Sequence, residues 1–433
     1  MSGLSTPGFP EDAVRRRARL GAEAVFPAVE DYGHVLFGAT TGNTTGADTG
    51  TNGSADASAD GINALRIVPP VFMPARLEKL IELAREPLPS DVDLATDISG
   101  FRSPLPFYIS AFGSTQVAST DLGTAVSRQA GALGLPMVIG ENVVPVNGYG
   151  RLGSAEKSLV ARIRAYADHA PDGLGAVVVQ QSTEDADAEV WNLVYSDPSA
   201  LPLLESGRLA FELKVGQGAK PGLGGMTVVD AAAAGRLADR FAFEDVLGGA
   251  GRVLRCASPG TFVEEILRQQ IRFMRNNFPR ARVWVKLHPG RDVALAAEVA
   301  WRAGADAVTI DGAEGGTGWA PTSFLDHVGL PLAECLRRID APAGPLLVSG
   351  RMWEGTRALK CLALGARAVG LGRAALLAAD EDPEAGLRRL AEAAAFELRL
   401  LLSAVGKYAV AQLDRDDVWN PAQAAAVRQE LPV

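Results

Sequence analysis

Eight short apolar runs recur between residues 106 and 372, and each is followed by a stretch with a helical pattern. The runs are apolar on both faces, which is typical of buried parallel strands. Strand–helix alternation repeated eight times predicts an α/β fold, a closed (β/α)8 TIM barrel. An open doubly wound sheet is the alternative, but no Gly-x-Gly-x-x-Gly follows the first run. The eight candidate strands are 106–110, 136–140, 176–180, 210–215, 282–287, 305–310, 345–349 and 368–372.

The remaining sequence predicts additions at both ends of the barrel. Residues 1–65 form an N-terminal extension with a candidate helix at 11–24 and a stretch, 39–61, that lacks large apolar residues. Such a stretch cannot bury enough surface to offset its ordering entropy, so we expect a flexible linker. The barrel unit then covers 66–433 and ends in C-terminal helices, beginning with a long helical pattern at 383–405.

Composition excludes several classes of protein. The net charge of −9 argues against a nucleic-acid binder, which normally carries a basic surface. Three cysteines, at 256, 335 and 361, fit neither a disulfide framework nor the spacing of a zinc or iron–sulfur site. No apolar run approaches the length of a membrane span, and no signal peptide opens the chain. We therefore expect a soluble cytoplasmic protein without a bound metal.

Glycines close three consecutive candidate strands in the second half of the series. They occur in Glu314-Gly315-Gly316-Thr317-Gly318, in Gly350-Arg351 and in Gly372-Arg373. Backbone N–H groups at such positions can approach a phosphate closely, and the arginines can add charge-assisted hydrogen bonds. Lys286 closes strand five, where a fixed cation would stabilise a developing anion. The pattern predicts a phosphorylated cofactor at the C-terminal face. Ordinary turn glycines and a lysine at a strand end are the alternative interpretation.

Several of these strings together resemble the FMN-binding synthase domain of glutamate synthase. The two most specific are Gln217-Gly218-Ala219-Lys220-Pro221-Gly222, after strand four, and Gly315-Gly316-Thr317-Gly318, after strand six. The resemblance extends over about 67–416, but this chain lacks the glutaminase domain and the three cluster cysteines of that family. It implies FMN as the cofactor, with no iron–sulfur cluster. The residues expected at FMN are Ser110, Ala111, Phe112, Gly113, Gln180, Lys286, Glu314, Gly315, Gly316, Thr317, Gly350, Arg351, Gly372 and Arg373.

The same resemblance suggests a substrate site. Lys214 and Arg255 align with residues that bind a dicarboxylate, Lys220 lies in the loop between them, and Met226 replaces a glutamine that holds 2-oxoglutarate. Glu141, after strand two, could relay a proton or orient a nitrogen, although a structural carboxylate is an equal alternative. Lys286 and Glu141 are therefore the candidate catalytic residues. Surface cations on a mobile loop remain the other interpretation of the three basic residues.

These features predict an FMN-dependent oxidoreductase of the glutamate synthase-like type. It would act on an amino acid, imino acid or related carboxylate by hydride transfer at flavin N5. NAD(P)H, O2 or a partner protein would supply or remove electrons, and we expect a homo-oligomer. The alternatives are an FMN-dependent isomerase without net redox change and a non-catalytic FMN-binding subunit. The substrate, the reaction direction and the role of the N-terminal extension stay open.

Overall fold

The computed structural model has eight parallel strands that close into one barrel, β1 to β8. The structure describes residues 4–36, 61–112, 121–140, 159–183, 189–216, 218, 227–238, 242–246, 248, 251–256, 263–317 and 320–421. All eight predicted strands are confirmed, each within two residues of the predicted bounds. The strands are β1 Phe107–Phe112, β2 Met137–Ile139, β3 Val177–Ser182, β4 Leu209–Lys214, β5 Arg282–Leu287, β6 Ala307–Asp311, β7 Leu346–Ser349 and β8 Ala368–Leu371.

Neighbouring strands pair in parallel around the whole barrel, and the ring closes where β8 pairs with β1. The junction between β4 and β5 sets Lys214 beside Lys286 in register. Because side chains alternate between the two faces of a strand, every second residue of each strand lies inside the barrel. The residues between them pack outward against the helices and form the larger of the two hydrophobic cores.

Fifteen α-helices lie in the part of the chain that the structure describes. Helix α10 begins directly after Asp292 and ends before Gly304, whose φ of +104° closes the helix in the left-handed region. The helices are α1 Glu11–Leu20, α2 Gly61–Ala64, α3 Pro74–Leu83, α4 Asp121–Ala132, α5 Leu159–Ala167, α6 Glu189–Ser196, α7 Leu201–Glu205, α8 Ala231–Leu237, α9 Glu264–Asn277, α10 Val293–Ala303, α11 Thr322–His327, α12 Leu332–Arg338, α13 Gly355–Ala363, α14 Arg373–Glu381 and α15 Gly386–Ala404.

A short hairpin, Thr96–Ile98 paired with Phe101–Ser103, contributes to the N-terminal end of the barrel, which we call the floor. Ile98 and Phe101 pack against the barrel's inward residues Tyr108 and Trp284. The Phe101 and Trp284 rings lie 5.7 Å apart. The floor is therefore a packed apolar plug, and any site inside the barrel must open at the opposite, C-terminal end, which we call the mouth.

The long segment between β4 and α9 carries secondary structure of its own. Thr227–Asp230 and Ala242–Glu244 both pair antiparallel with Arg252–Cys256, which forms the centre of a three-stranded sheet. The sequence predicts a loop for this segment. Its strands are short and lack a strong alternation, so the pattern that revealed the barrel strands does not reveal them.

The N-terminal extension packs on the last helices of the barrel. Arg15 on α1 forms an ion pair of 2.7 Å with Asp380, and Arg17 forms one of 2.7 Å with Glu397. The predicted linker lies outside the described residues except for Gly61, which begins α2, so the domain division at residue 65 remains a prediction. Across the described ranges, we find no helix both long and apolar enough to cross a membrane.

Candidate functional site

The inward side chains of the barrel change from apolar to polar between the floor and the mouth. Ala210 and Trp284 belong to the apolar inner core, whereas Glu212 and Lys286, two residues further along the same strands, are polar. On β6 the same step leads from Ala307 to Thr309. All three polar side chains are buried. Buried polar groups require partners, so this layer must be an internally bonded network.

Lys286 forms a buried ion pair inside the barrel. Its Nζ lies 3.0 Å from Oδ2 of Asp311 at the end of β6, and both side chains are at least nine-tenths buried. Ser349 at the end of β7 donates a hydrogen bond to the other oxygen of Asp311. The ammonium is therefore fixed in one place near the mouth rather than extended into solvent.

Glu212 is the second acid of the network, and its partners carry no charge. Thr309 Oγ1 donates to Glu212 Oε1 at 2.5 Å, and Gln180 Nε2 donates to Oε2. Burial raises the pKa of Glu212, while Lys286, Thr309 and Gln180 oppose that increase. Tyr108 borders the same network. Burial raises the pKa of its hydroxyl, and the nearby Asp311 and Glu212 carboxyls raise it further.

Two arginines lie close together where β7 and β8 end. Burial lowers the pKa of Arg373 to about 10, and repulsion by Arg351 contributes to that decrease. Arg373 donates to the carbonyl oxygen of Glu314 at 2.6 Å and stacks over the Phe9 ring at 4.5 Å. Arg351 itself has a positive φ of 56° beside Gly350 at +124°. Two adjacent cations in strained or buried positions are an arrangement that an anion would stabilise.

Glycines at the mouth occupy positions that admit no side chain. A Cβ on Gly315 would lie 2.8 Å from Cβ of Asp311, and one on Gly316 would lie 3.0 Å from the Arg373 side chain. A Cβ on Gly218 would lie 2.9 Å from the carbonyl oxygen of Gly315. Gly218 therefore lies directly against Gly315 of the loop after β6. One residue from each of the two most specific sequence strings thus meets the other at the mouth, while Gln217, residues 219–222 and Gly318 lie outside the described ranges.

Other predicted cofactor residues have more structural roles. The Glu314 carboxylate accepts the backbone N–H of Leu332 at 3.0 Å and so caps α12. The Phe112 ring packs outward under the Arg162 guanidinium at 4.6 Å, so only its backbone can face the mouth. Ser110 does lie inside the barrel, because a Cβ on Gly370 would meet its hydroxyl. Ala111 and Thr317 are half-buried at their strand ends, and Gly372 directly precedes α14.

The predicted substrate residues divide between the barrel and the inserted sheet. Lys214 ends β4 on the inward side and is half-buried. Arg255 lies in the central strand of the inserted sheet and is 5% exposed, whereas Arg252 on the same strand is exposed. Glu141, Lys220, Met226 and Gly113 lie outside the described residues, so their predicted roles stay predictions.

Five residues of the buried network are not among the site residues predicted from the sequence: Glu212, Thr309, Asp311, Ser349 and Tyr108. Glu212 could have been found, because it stands two residues before Lys214 and therefore shares its inward face. Asp311 could not, since only the closed ring of strands brings it to Lys286. Among the described residues, no group of three or more His, Cys, Asp or Glu side chains could hold a metal ion.

Sequence comparison matches residues 204–380 to the family described as the conserved region in glutamate synthase. An archaeal-type glutamate synthase [NADPH] from Dehalococcoides mccartyi is 34% identical over 184 residues, which cover 40% of this chain and 36% of that protein. An isopentenyl-diphosphate delta-isomerase from Nostoc is 36% identical over 128 residues, or 26% of this chain and 36% of the isomerase. The chain thus spans little more than a third of the length of these relatives.

Among solved structures, the barrel is similar to a mandelate oxidase variant that carries a monooxide FMN adduct. The two share 19% identity with a TM-score of 0.52, over 84% of this chain and 92% of the oxidase. At that identity the likeness concerns the fold, and it agrees with the closed barrel described above. The region from 204 to 380, which matches the conserved region in glutamate synthase, contains β4 to β8.

Proposed function

We propose that this protein is an FMN-dependent oxidoreductase that acts on a carboxylate substrate. The observation that carries the proposal is the arrangement of groups at the mouth of the barrel. A fixed, buried Lys286 shares this end with glycine-ended strands and two adjacent arginines. A cofactor with a phosphate at one end and a ring that accepts negative charge at the other matches both halves of this arrangement. The glutamate synthase-like region includes every one of these residues.

The phosphate would be held at the ends of β6, β7 and β8. Gly315, Gly316 and Gly350 lie at these strand ends, where Gly316 is exposed, and Arg351 and Arg373 supply the charge that a dianion needs. Close packing around these glycines explains why a side chain would be excluded there. The residues present therefore fit an FMN phosphate, and the end of β1 with the residue that follows it, Ser110 to Gly113, is proposed to border the ring.

When bound, FMN supplies hydride chemistry at N5. Lys286 would stabilise the negative charge that arises when a hydride arrives, because its ammonium is already oriented by Asp311 and need not reorganise. The apolar floor excludes water from below, so this charge interaction is stronger than it would be in solvent.

A carboxylate of the substrate would be bound by Lys214 and Arg255. Arginine binds both oxygens of a carboxylate with its planar fork, and the burial of Arg255 suits a desolvated contact. Lys220 would assist from the loop after β4, and Glu141 would orient an amino or imino nitrogen. Met226 replaces a polar amide, so we propose a substrate less polar than 2-oxoglutarate, such as an amino or imino acid with an apolar remainder.

Purification of the chain tests the cofactor. We expect a yellow protein with about one FMN per chain and no iron, identified by heat release and chromatography of the chromophore. FAD, or stoichiometric iron and sulfide, would contradict the proposal. Anaerobic bleaching of the flavin by glutamate, 2-oxoglutarate, apolar amino acids and NADPH, each in turn, then identifies the reductant.

Arg255→Ala tests the substrate site. Loss of a buried charge opposite a carboxylate should weaken the free energy of substrate binding by roughly 2–5 kcal/mol. Flavin-difference titration measures the dissociation constant from which this change is obtained. Arg252→Ala is the matched control, because Arg252 lies on the same strand but is exposed. Met226→Gln should improve 2-oxoglutarate binding. Unchanged affinities in Arg255→Ala would move the carboxylate site elsewhere, and tight 2-oxoglutarate binding by the wild type would contradict the role given to Met226.

The partial likeness to an isopentenyl-diphosphate delta-isomerase favours one alternative, an FMN-dependent isomerase without net redox change. Turnover that consumes neither an electron donor nor an acceptor would support it. A non-catalytic FMN-binding subunit is the other alternative, which turnover by the purified protein alone would exclude. Under the leading proposal, electrons pass to or from NAD(P)H, O2 or a partner protein, in a cytoplasmic homo-oligomer of amino acid metabolism.

A further inference from the structure

The barrel interior holds two buried carboxyl groups in different hydrogen-bonding environments. Asp311 is paired with the ammonium of Lys286, which can only donate a hydrogen bond. Glu212 has the hydroxyl of Thr309 and the side-chain amide of Gln180 as its partners. The two acids therefore differ in whether a proton can be added without breaking an ion pair.

Both partners of Glu212 can reverse their roles. Thr309 Oγ1 donates a hydrogen bond to Glu212. The same oxygen also lies 3.5 Å from the carbonyl oxygen of Val285, toward which the hydroxyl hydrogen can rotate. It would then accept a hydrogen bond from a protonated Glu212. The Gln180 amide presents either its NH2 group or its oxygen after a rotation of half a turn. The surroundings of Glu212 thus satisfy either protonation state with rotations of small groups and no movement of the backbone.

We propose that Glu212 is the internal proton acceptor of the barrel and takes up a proton from solvent when negative charge is placed at the mouth beside Lys286. This inference rests on the proposed function, because hydride transfer to the cofactor is the event that places the charge there. Glu212 would act as a positioning and charge-balancing residue that does not itself touch the substrate.

The charged groups around Glu212 support this assignment. Lys286 from β5 favours the ionised form, whereas Asp311 from β6 opposes it. The Tyr108 hydroxyl from β1 also borders the network, and its raised pKa keeps it protonated. Burial is the largest influence and raises the pKa of Glu212, so added negative charge at the mouth can shift it toward protonation. Lys214, two residues along β4, is a further cation on the same inward face.

The balance of the step is simple. A hydride leaves the substrate carbon with two electrons and adds one net negative charge at the cofactor. One proton from solvent water then converts the Glu212 carboxylate to the carboxylic acid, so the interior regains its earlier net charge. Lys286 keeps its proton and its contact with Asp311 throughout.

The pH dependence of the flavin midpoint potential tests the proposal in the purified holoprotein. One additional proton per two electrons changes the reduction equilibrium tenfold per pH unit, which is about 30 mV per pH unit for a two-electron couple. We expect the slope of midpoint potential against pH to be steeper in the wild type than in Glu212→Gln by this amount. The difference should appear over the pH range in which Glu212 titrates. Thr309→Ser should retain the extra slope, while Thr309→Val, which removes the reversible partner, should displace the window or abolish it.

Equal slopes in the wild type and Glu212→Gln would overturn the proposal. If Glu212→Gln does not fold, the reduced-minus-oxidised infrared spectrum of the wild type decides, because a new carboxylic acid carbonyl band must appear on reduction. Its absence would overturn the proposal as well. Glu82→Gln, at an exposed residue of α3, is the control and should leave slope and spectrum unchanged. A protein that binds no flavin would instead refute the proposed function, so the two failures are distinguishable.

Discussion

The floor and the mouth of the barrel are built from the same eight strands, yet they differ in chemistry. At the floor, the inward residues Trp284 and Ala210 pack against Phe101 of the hairpin and form an apolar plug. Two residues further along the same strands, Lys286 and Glu212 belong to a buried polar network. A single step of two residues therefore separates a region that stabilises the fold from a region equipped for charge chemistry.

The difference indicates how the barrel supports a buried cation. A closed apolar floor leaves only one direction from which solvent or a ligand can approach. On the floor side of the polar network, Thr309 and Gln180 both donate hydrogen bonds to Glu212. Substitutions at the floor should therefore change the free energy of unfolding, and substitutions at the mouth should change cofactor chemistry. Four substitutions test this division and the stability of the surrounding fold.

Phe101→Ala should have the largest effect, and only on stability. The side chain is 1% exposed and lies against Trp284, so its removal should lower the free energy of unfolding by about 3–5 kcal/mol. Denaturant titration measures this, with Phe273→Ala at an exposed site of α9 as the control. A loss of flavin reduction rate in the folded variant would contradict the separation of floor from mouth.

Lys286→Met should have the next largest effect, and on rate. Removing one preorganised charge at a developing anion costs about 3 kcal/mol, or roughly a hundredfold in the rate of flavin reduction. Anaerobic stopped-flow reduction measures it. Lys360→Met is a matched control, because Lys360 is also buried but bonds the backbone of Asn63 outside the barrel. An undiminished rate in Lys286→Met would assign the lysine a structural role.

Gly350→Ala should weaken cofactor binding by about 1–3 kcal/mol, because its φ of +124° is strained for a residue with a side chain. Equilibrium dialysis of FMN measures the change. Gly207→Ala provides the comparison, since Gly207 also has a positive φ of 69° but a Cβ there would meet no neighbour. Equal FMN affinities in the two variants would mean that the turn after β7 does not hold the phosphate.

Glu354→Gln comes last, because it should change only the pH dependence of stability. Burial, followed by repulsion from Glu397, raises the pKa of Glu354 from 4.5 to about 7. The folded state therefore binds the proton more tightly than the unfolded state, so this contribution is fully present below pH 4.5 and is lost as the pH rises through about 7. The loss should be roughly 3 kcal/mol and absent in Glu354→Gln. Parallel pH profiles of the free energy of unfolding in the wild type and Glu354→Gln would contradict this expectation.

The fold followed from the sequence because its signal is local and repeated. Each barrel strand is a short apolar run with a helix after it, and eight repeats leave little freedom of architecture. The inserted sheet after β4 was missed because its strands are short, and its central strand includes charged residues such as Arg252 and Arg255. Candidate site residues at strand ends could be found in the same way as the strands, through glycine strings whose spacing reflects close backbone approach.

The sequence by itself predicted the barrel, a candidate site at the mouth, and Lys286 as the candidate cation of that site. Only the tertiary structure decided which acid pairs with that cation. Lys286 and Asp311 are 25 residues apart in the chain, and Glu212 and Thr309 are separated by 97. Inward residues on different strands meet only when the ring closes, and its register then fixes which of them meet. Hydrophobic periodicity reports which face of a strand is buried, but it carries no information on that register.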